Sequence, residues 1–173
     1  MTTEALSKPT AAFFWRKLDH PGHDSCRLFR VSNGWRLSGA AVFWDDGRPC
    51  HFHYEVMTDA AWRSRRAKVA GFLGNERLDL RISSIGNTRW RVAGKPLNSV
   101  TGCIDVDLGF TPATNLIAIR RLSLKVGQYA EAPAAYLANH SRVARSMSEA
   151  TEHSSSFARC SSSARRPGSS RQL

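Results

Sequence analysis

Long apolar runs are missing from this 173-residue chain, and none approaches the roughly eighteen residues that a membrane-spanning helix needs. The first ten residues carry Glu4, Lys8 and Pro9 in place of the apolar stretch of a secretory signal, which predicts a cytoplasmic protein. Cysteine is scarce and unpatterned. Cys26, Cys50, Cys103 and Cys160 stand singly, with no C-x-x-C spacing, so reduced, buried thiols are expected rather than a disulfide framework. No glycine-rich phosphate loop occurs, no G-x-S-x-G, and no cysteine in a recognisable catalytic context. The chain thus gives no positive sign of an enzyme, and no cofactor is expected. Acidic residues are also few: fourteen against twenty-five Lys and Arg, for a net charge of +11. That balance suits anionic partners such as nucleic acid, lipid headgroups or acidic metabolites, without choosing among them.

What is present falls into two regions. Residues 139–173 contain eleven Ser and six Arg, including Ser154-Ser155-Ser156, Ser161-Ser162-Ser163 and Arg165-Arg166-Pro167-Gly168. Neither the helical nor the strand period runs through them, and they bring too little apolar surface to offset their ordering entropy. A disordered, dispensable tail is expected there; an out-of-frame end of a GC-rich gene would read the same way. Upstream lie all five Trp and seven of the eight Phe. One domain over residues 11–138 is therefore expected, after a flexible stretch over 1–10. A chain of this size buries about two thirds of its unfolded surface and needs no metal or disulfide to hold a core.

Turn signals recur at hairpin spacing: Pro21-Gly22, Asn33-Gly34, Asp45-Asp46-Gly47, Gly74-Asn75, Gly86-Asn87 and Gly94-Lys95-Pro96. Between them the period is two. Cys50, Phe52, Tyr54 and Val56 alternate with His51, His53 and Glu55; Leu78, Leu80 and Ile82 alternate with Asp79, Arg81 and Ser83. Trp35, Leu37, Ala41 and Phe43, Trp90 and Val92, and Ile104, Val106 and Leu108 repeat the pattern. This predicts a mainly β protein, an antiparallel meander with one packed face per strand. A single helix is expected after Thr111, a good N-cap, and Pro112, suited to the first turn, with Leu116 and Ile119 on one face and Arg120 and Arg121 near its end. Leu122, Leu124 and Val126 return to period two and predict a further strand.

Several constellations bear on chemistry. His51, His53 and Glu55 share a strand face at a spacing that can bind a divalent metal, but no fourth ligand is evident and no metal is expected. Asp105 and Asp107 share another face. Paired carboxylates can serve acid–base catalysis, yet Arg120 and Arg121 nearby favour an ionised salt-bridge network. Arg63 and Arg65, and Arg89 and Arg91, project from strands beside Trp62 and Trp90, as in surfaces that hold phosphates and stack bases. No nucleic-acid-binding motif accompanies them, so nucleic acid ranks below other ligands.

The string Gly102-Cys-Ile-Asp-Val-Asp-Leu-Gly-Phe-Thr-Pro-Ala-Thr-Asn-Leu-Ile-Ala-Ile-Arg-Arg-Leu122 is unusual. With Tyr54-Glu55-Val56, then Asp59, Trp62, Arg63 and Arg65, with Gly34-Trp35-x-Leu-x-Gly39, and with Trp90-x-Val92, it resembles a bacterial family of glycolipid-binding proteins over roughly residues 12–138. The resemblance implies a spiral β-roll, a large antiparallel sheet curled around a single helix, and a homodimer. It also implies kinship in shape with carriers that hold acyl chains in a curved sheet, and hence lipid or glycolipid binding without catalysis. Ala118 stands where the family usually has Pro, and the family pattern stops near Ala138. A roll incomplete at its C-terminal end is therefore expected. On this reading Tyr54, Trp62 and Trp90 border the cavity, and Arg63, Arg65, Asp105, Asp107, Thr114, Asn115, Arg120 and Arg121 supply polar contacts to a headgroup. The same residues can instead lock the helix to its sheet. Nucleic-acid binding, and an enzyme using Asp105 and Asp107, are the alternatives.

Overall fold

The computed structural model describes residues 8–137 and, for the backbone alone, 158–161 and 164–165. Eight strands follow one another in an antiparallel meander: β1 (Ala11–Arg16), β2 (Gly22–Val31), β3 (Gly34–Asp45), β4 (Arg48–Asp59), β5 (Ser64–Leu73), β6 (Glu76–Ile85), β7 (Arg89–Val92) and β8 (Lys95–Leu97). Each pairs with its sequence neighbours, and the sheet is not closed into a barrel. The turns follow from their residues. Asp46 (φ 48°) with Gly47 (φ 74°), and Ala93 (φ 48°) with Gly94 (φ 83°), each place two left-handed residues between paired strands, the tight geometry that matches strand twist.

The expected alternation holds. Cys50, Phe52, Tyr54 and Val56 are all buried on β4, and Leu80 and Ile82 on β6. One continuous core joins these to Val106, Leu108, Phe110 and Ile117 from the segment that the sheet wraps. Cys26, Cys50 and Cys103 are buried, and burial pushes the Cys26 and Cys50 thiols up to about 11. Trp90 is fully enclosed and donates its indole N–H to the Cys103 carbonyl at 2.8 Å, tying β7 to the wrapped segment.

That segment runs through β9 (Asp105–Leu108), a 3-10 turn (Pro112–Thr114), α1 (Asn115–Arg121), β10 (Tyr129–Ala130) and β11 (Ala134–Leu137). Thr111 caps the turn as its sequence predicts, accepting from the Ala113 N–H at 3.1 Å. No strand forms over 122–126. Ser123 takes a left-handed φ of 53°, its N–H bonds the Arg120 carbonyl, and the Leu124 N–H bonds that of Ile119. This Schellman closure reverses the chain at the helix end. Leu122 and Leu124 then pack on Ala118 and Ala132 and not in a sheet.

β9 pairs in parallel with β11, whose other edge pairs antiparallel with β12 (Ala158–Ser161); β13 (Ala164–Arg165) pairs with β10. The remainder of the expected tail, 139–157, 162–163 and 166–173, lies outside the described residues, as do residues 1–7 of the expected N-terminal stretch.

Candidate functional site

The inner face of the sheet carries an aspartate at an apolar position. Asp24 shares its side of β2 with Cys26 and Leu28 and is only 2% exposed. It is kept there by hydroxyls. Tyr54 donates to it at 3.0 and 3.1 Å, and Thr111 donates to its Oδ2 while lying 3.1 Å from the Tyr54 hydroxyl. Gly39 makes the Tyr54 geometry accessible. A Cβ there would lie 2.4 Å from the phenol, so the ring lies flat across the cross-strand glycine. Burial raises the Asp24 carboxyl above its ordinary range, against the opposing effect of the Thr111 and Tyr54 hydroxyls and of Lys17.

Asp24 opens onto a cavity of about 360 Å³ between the end of β1 and the start of α1. Asp107 lines it too, its carboxyl also raised by burial and opposed by a hydrogen bond from Thr114 at 3.0 Å. Arg16, Lys17 and Asp19 line it as well, and Trp15, Phe110 and Tyr136 supply aromatic walls. Tyr136 packs on Gly109 as Tyr54 does on Gly39. A second cavity, about 470 Å³, has the same two elements as walls. It is lined by Phe13, Leu116, Ile119 and Leu124 together with Arg120, Ser123 and Lys125. Phe13 of the second cavity stacks on Trp15 of the first at 5.4 Å, and Asn115 of the first precedes Leu116 of the second. β1 and α1 thus border two cavities side by side, one lined by carboxylates and one mainly apolar, named here the two ends of the β1/α1 groove.

A family model described as "Putative glycolipid-binding" matches residues 12–166. The chain belongs to that family. The match extends past residue 138 and takes in β12 and β13. The crystal structure of a DUF1089-family protein from Pseudomonas aeruginosa shares the fold, with a TM-score of 0.57 and 24% identity over 79% of this chain and 68% of that one. No curated protein matches.

Within this glycolipid-binding family member, the residues expected to bind ligand separate into three groups. Asp107 and Asn115 line the carboxylate end of the groove, Thr114 holds Asp107, and Tyr54 holds Asp24. Arg120 borders the apolar end and lies over the Trp62 ring, 5.9 Å from its centroid. Trp62 in turn stacks on Trp35 at 4.7 Å, and Arg30 covers the far side of Trp35. That column docks the end of α1 on the sheet.

The remaining residues hold the fold. Arg121 pairs with the buried Asp105 at 2.7 Å, the salt bridge expected of that face. Burial still raises the Asp105 carboxyl, with Arg121 opposing. Asp59 accepts from the Ala61 and Arg63 N–H groups, both at 2.9 Å, and pairs with Arg65 at 2.6 Å; Arg65 also reaches the Gly86 carbonyl at 2.8 Å. The Asp59…Trp62-Arg63…Arg65 string is thus a stapled turn, in which Trp62 adopts φ 62°. Arg63 itself is exposed on that turn, and Trp90 lies in the core, away from both cavities. Among the described residues no cluster of three His, Cys, Asp or Glu has metal-holding geometry. Glu55 faces Arg36 at 4.0 Å while His51 and His53 pack edge to face.

Sequence reasoning missed Asp24, Lys17, Phe13 and Trp15. The available signal was parity. Asp24, Cys26 and Leu28 are i, i+2 and i+4 of one strand, and a carboxylate on the apolar side of a strand must have partners that repay its burial.

Proposed function

We propose that this chain binds an amphiphile in the β1/α1 groove, a glycosylated or polyol headgroup at the Asp24–Asp107 end and an apolar tail along Phe13, Leu116, Ile119 and Leu124, without catalysing its breakdown. The observation that carries the reading is that both cavities draw lining residues from β1 and α1 while differing in polarity. Carboxylates accept hydrogen bonds from sugar hydroxyls, and flat aromatic walls such as Trp15 and Tyr136 suit the apolar faces of a pyranose. The tail end offers mainly aliphatic and aromatic side chains, beside the cations Arg120 and Lys125. Family membership supports a lipid-class ligand.

Native mass spectrometry of the purified chain, alone and after exposure to glycosylated and unglycosylated lipids, tests the proposal. Uptake should favour the glycosylated lipid. Leu116→Asp should abolish uptake of either, and Asp107→Asn should weaken the glycosylated one by about tenfold or more, the worth of one hydrogen bond to a charged group. A folded chain that takes up no amphiphile, or variants that bind as the parent does, would overturn the groove. Release of free sugar during incubation would overturn the non-catalytic part, because two carboxyls raised by burial in one cavity are also what acid–base hydrolysis uses.

A further inference from the structure

The opposite face of the sheet carries large apolar side chains that no other described residue covers. Phe14 is 70% exposed, Val42 57%, Trp44 49% and Phe72 39%. They stand on alternate strands, with His23 and His51 on the strands between them. The strand registers align Arg16, His23, Val42, His51, Phe72 and Arg77 in one row across β1 to β6. Five strand spacings make that row about 24 Å long. Phe14 stacks on His23 at 5.4 Å, and His51 meets Phe72 edge to face at 5.5 Å. The middle of the row alternates imidazoles with apolar side chains, His23, Val42, His51 and Phe72, and its two ends are arginines. A shallow cavity of about 370 Å³ on the same side is bordered by Ser25, Arg27, Ser38 and His53, a set of hydroxyls and a cation suited to a phosphate.

We propose that this outer face docks on an anionic lipid bilayer. Its layout is that of an interfacial surface, with apolar side chains central enough to enter the headgroup region and cations around them at headgroup depth. Charge selects this occupant over a second copy of the chain. Two molecules of net charge +11 meeting through this face would set arginine row-ends against one another, whereas an anionic surface attracts them. Nucleic acid fits less well, since aliphatic Val42 occupies the row's middle and offers no ring for a base to stack on. The inference goes beyond the groove and does not depend on it. It is consistent with the groove's position, because β1 presents Phe14 to this face and Phe13 and Trp15 to the groove.

Co-sedimentation of the full chain with phosphatidylcholine vesicles, with and without phosphatidylglycerol, decides the matter. Binding should require phosphatidylglycerol and weaken with salt. Arg27→Ala and Arg77→Ala should each reduce it about fivefold, and Phe14→Ser combined with Trp44→Ser should reduce it at least tenfold. These positions are exposed, and an unchanged thermal melt verifies folding of each variant. Absence of binding to the anionic vesicles, or equal binding by the Phe14/Trp44 variant, overturns the proposal. So does preferential competition by an oligonucleotide, or a self-association of the parent chain that the Phe14/Trp44 variant abolishes.

Discussion

Tyr54 donates its hydroxyl to Asp24 from thirty residues away, at 3.0 Å, and both groups are buried. The pair connects the middle of β4 to the groove wall on β2, and Thr111 completes it from the turn that starts the helix. One hydrogen-bonded cluster therefore spans the sheet, the wrapped segment and the proposed headgroup site.

Tyr54→Phe leaves Asp24 with one donor fewer in a buried setting. A loss of about 1–3 kcal/mol is expected in urea denaturation. The pH dependence has a definite sign. The folded pKa of Asp24 lies above its ordinary 3.8, so the folded chain retains a proton that the unfolded chain has released. Its contribution is complete below 3.8 and declines as pH rises through the folded value. Asp24→Asn should flatten that decline, seen by comparing unfolding free energies of parent and variant from mildly acidic to neutral pH. An unchanged slope would show that Asp24 is not the titrating group.

Gly39→Ala should act through the same pair. The new Cβ would meet the Tyr54 ring at 2.4 Å and the Ser25 carbonyl at 2.6 Å, so the ring must swing away from Asp24. Overpacking of this kind costs about 1–3 kcal/mol. Because the substitution also breaks the Tyr54–Asp24 bond, its effect should fall well short of additive with Tyr54→Phe. Full additivity in a double-mutant cycle would mean that ring and glycine are independent.

Arg121→Ala removes the partner of a carboxylate that is only 2% exposed. Stranding Asp105 should cost about 3–5 kcal/mol near neutral pH. Arg121 opposes the burial that raises the Asp105 carboxyl, so its loss raises that carboxyl further. The variant's deficit should therefore shrink on acidification, and Asp105→Asn in the Arg121→Ala background should recover part of it. A deficit independent of pH would point to lost packing of the arginine stem instead.

How much of this was legible in the sequence depends on where the deciding interaction lies. Period-two patterning and left-handed turn residues are local, and they foretold the meander. Thr111 and Pro112 marked the helix start. The strand expected at Leu122, Leu124 and Val126 failed because Ser123 closes the helix in a conformation usually left to glycine, which no composition rule assigns to serine. The arginine and tryptophan residues drew attention for their chemistry, yet Arg65, Arg121 and Trp90 have partners close by in the fold that occupy them. The groove needs β1 brought against α1, a contact about a hundred residues apart, and only Asp24's parity hinted at it.

The Ser/Arg composition of the chain beyond residue 138 marks it as dispensable. β12 gives the contrary expectation. It forms four residue pairs with β11, on the edge that β9 does not occupy. The hydrogen bonds of such a ladder contribute about 1 kcal/mol each. Closing the roughly twenty-residue connection between β11 and β12 costs about 2–3 kcal/mol on the logarithmic loop rule. The two nearly cancel, so truncation after Ala138 should lower global stability by no more than about 2 kcal/mol. The local effect should be larger. β11 would lose the partner on one side and present unpaired N–H and C=O groups, an edge that invites pairing with another chain. Hydrogen exchange should therefore quicken at the β11 amides that do not bond to β9, while those of β4 and β5 stay protected. Light scattering should show concentration-dependent association of the truncated chain. Unaltered β11 exchange together with a monomeric truncated chain would restore the reading of 139–173 as dispensable.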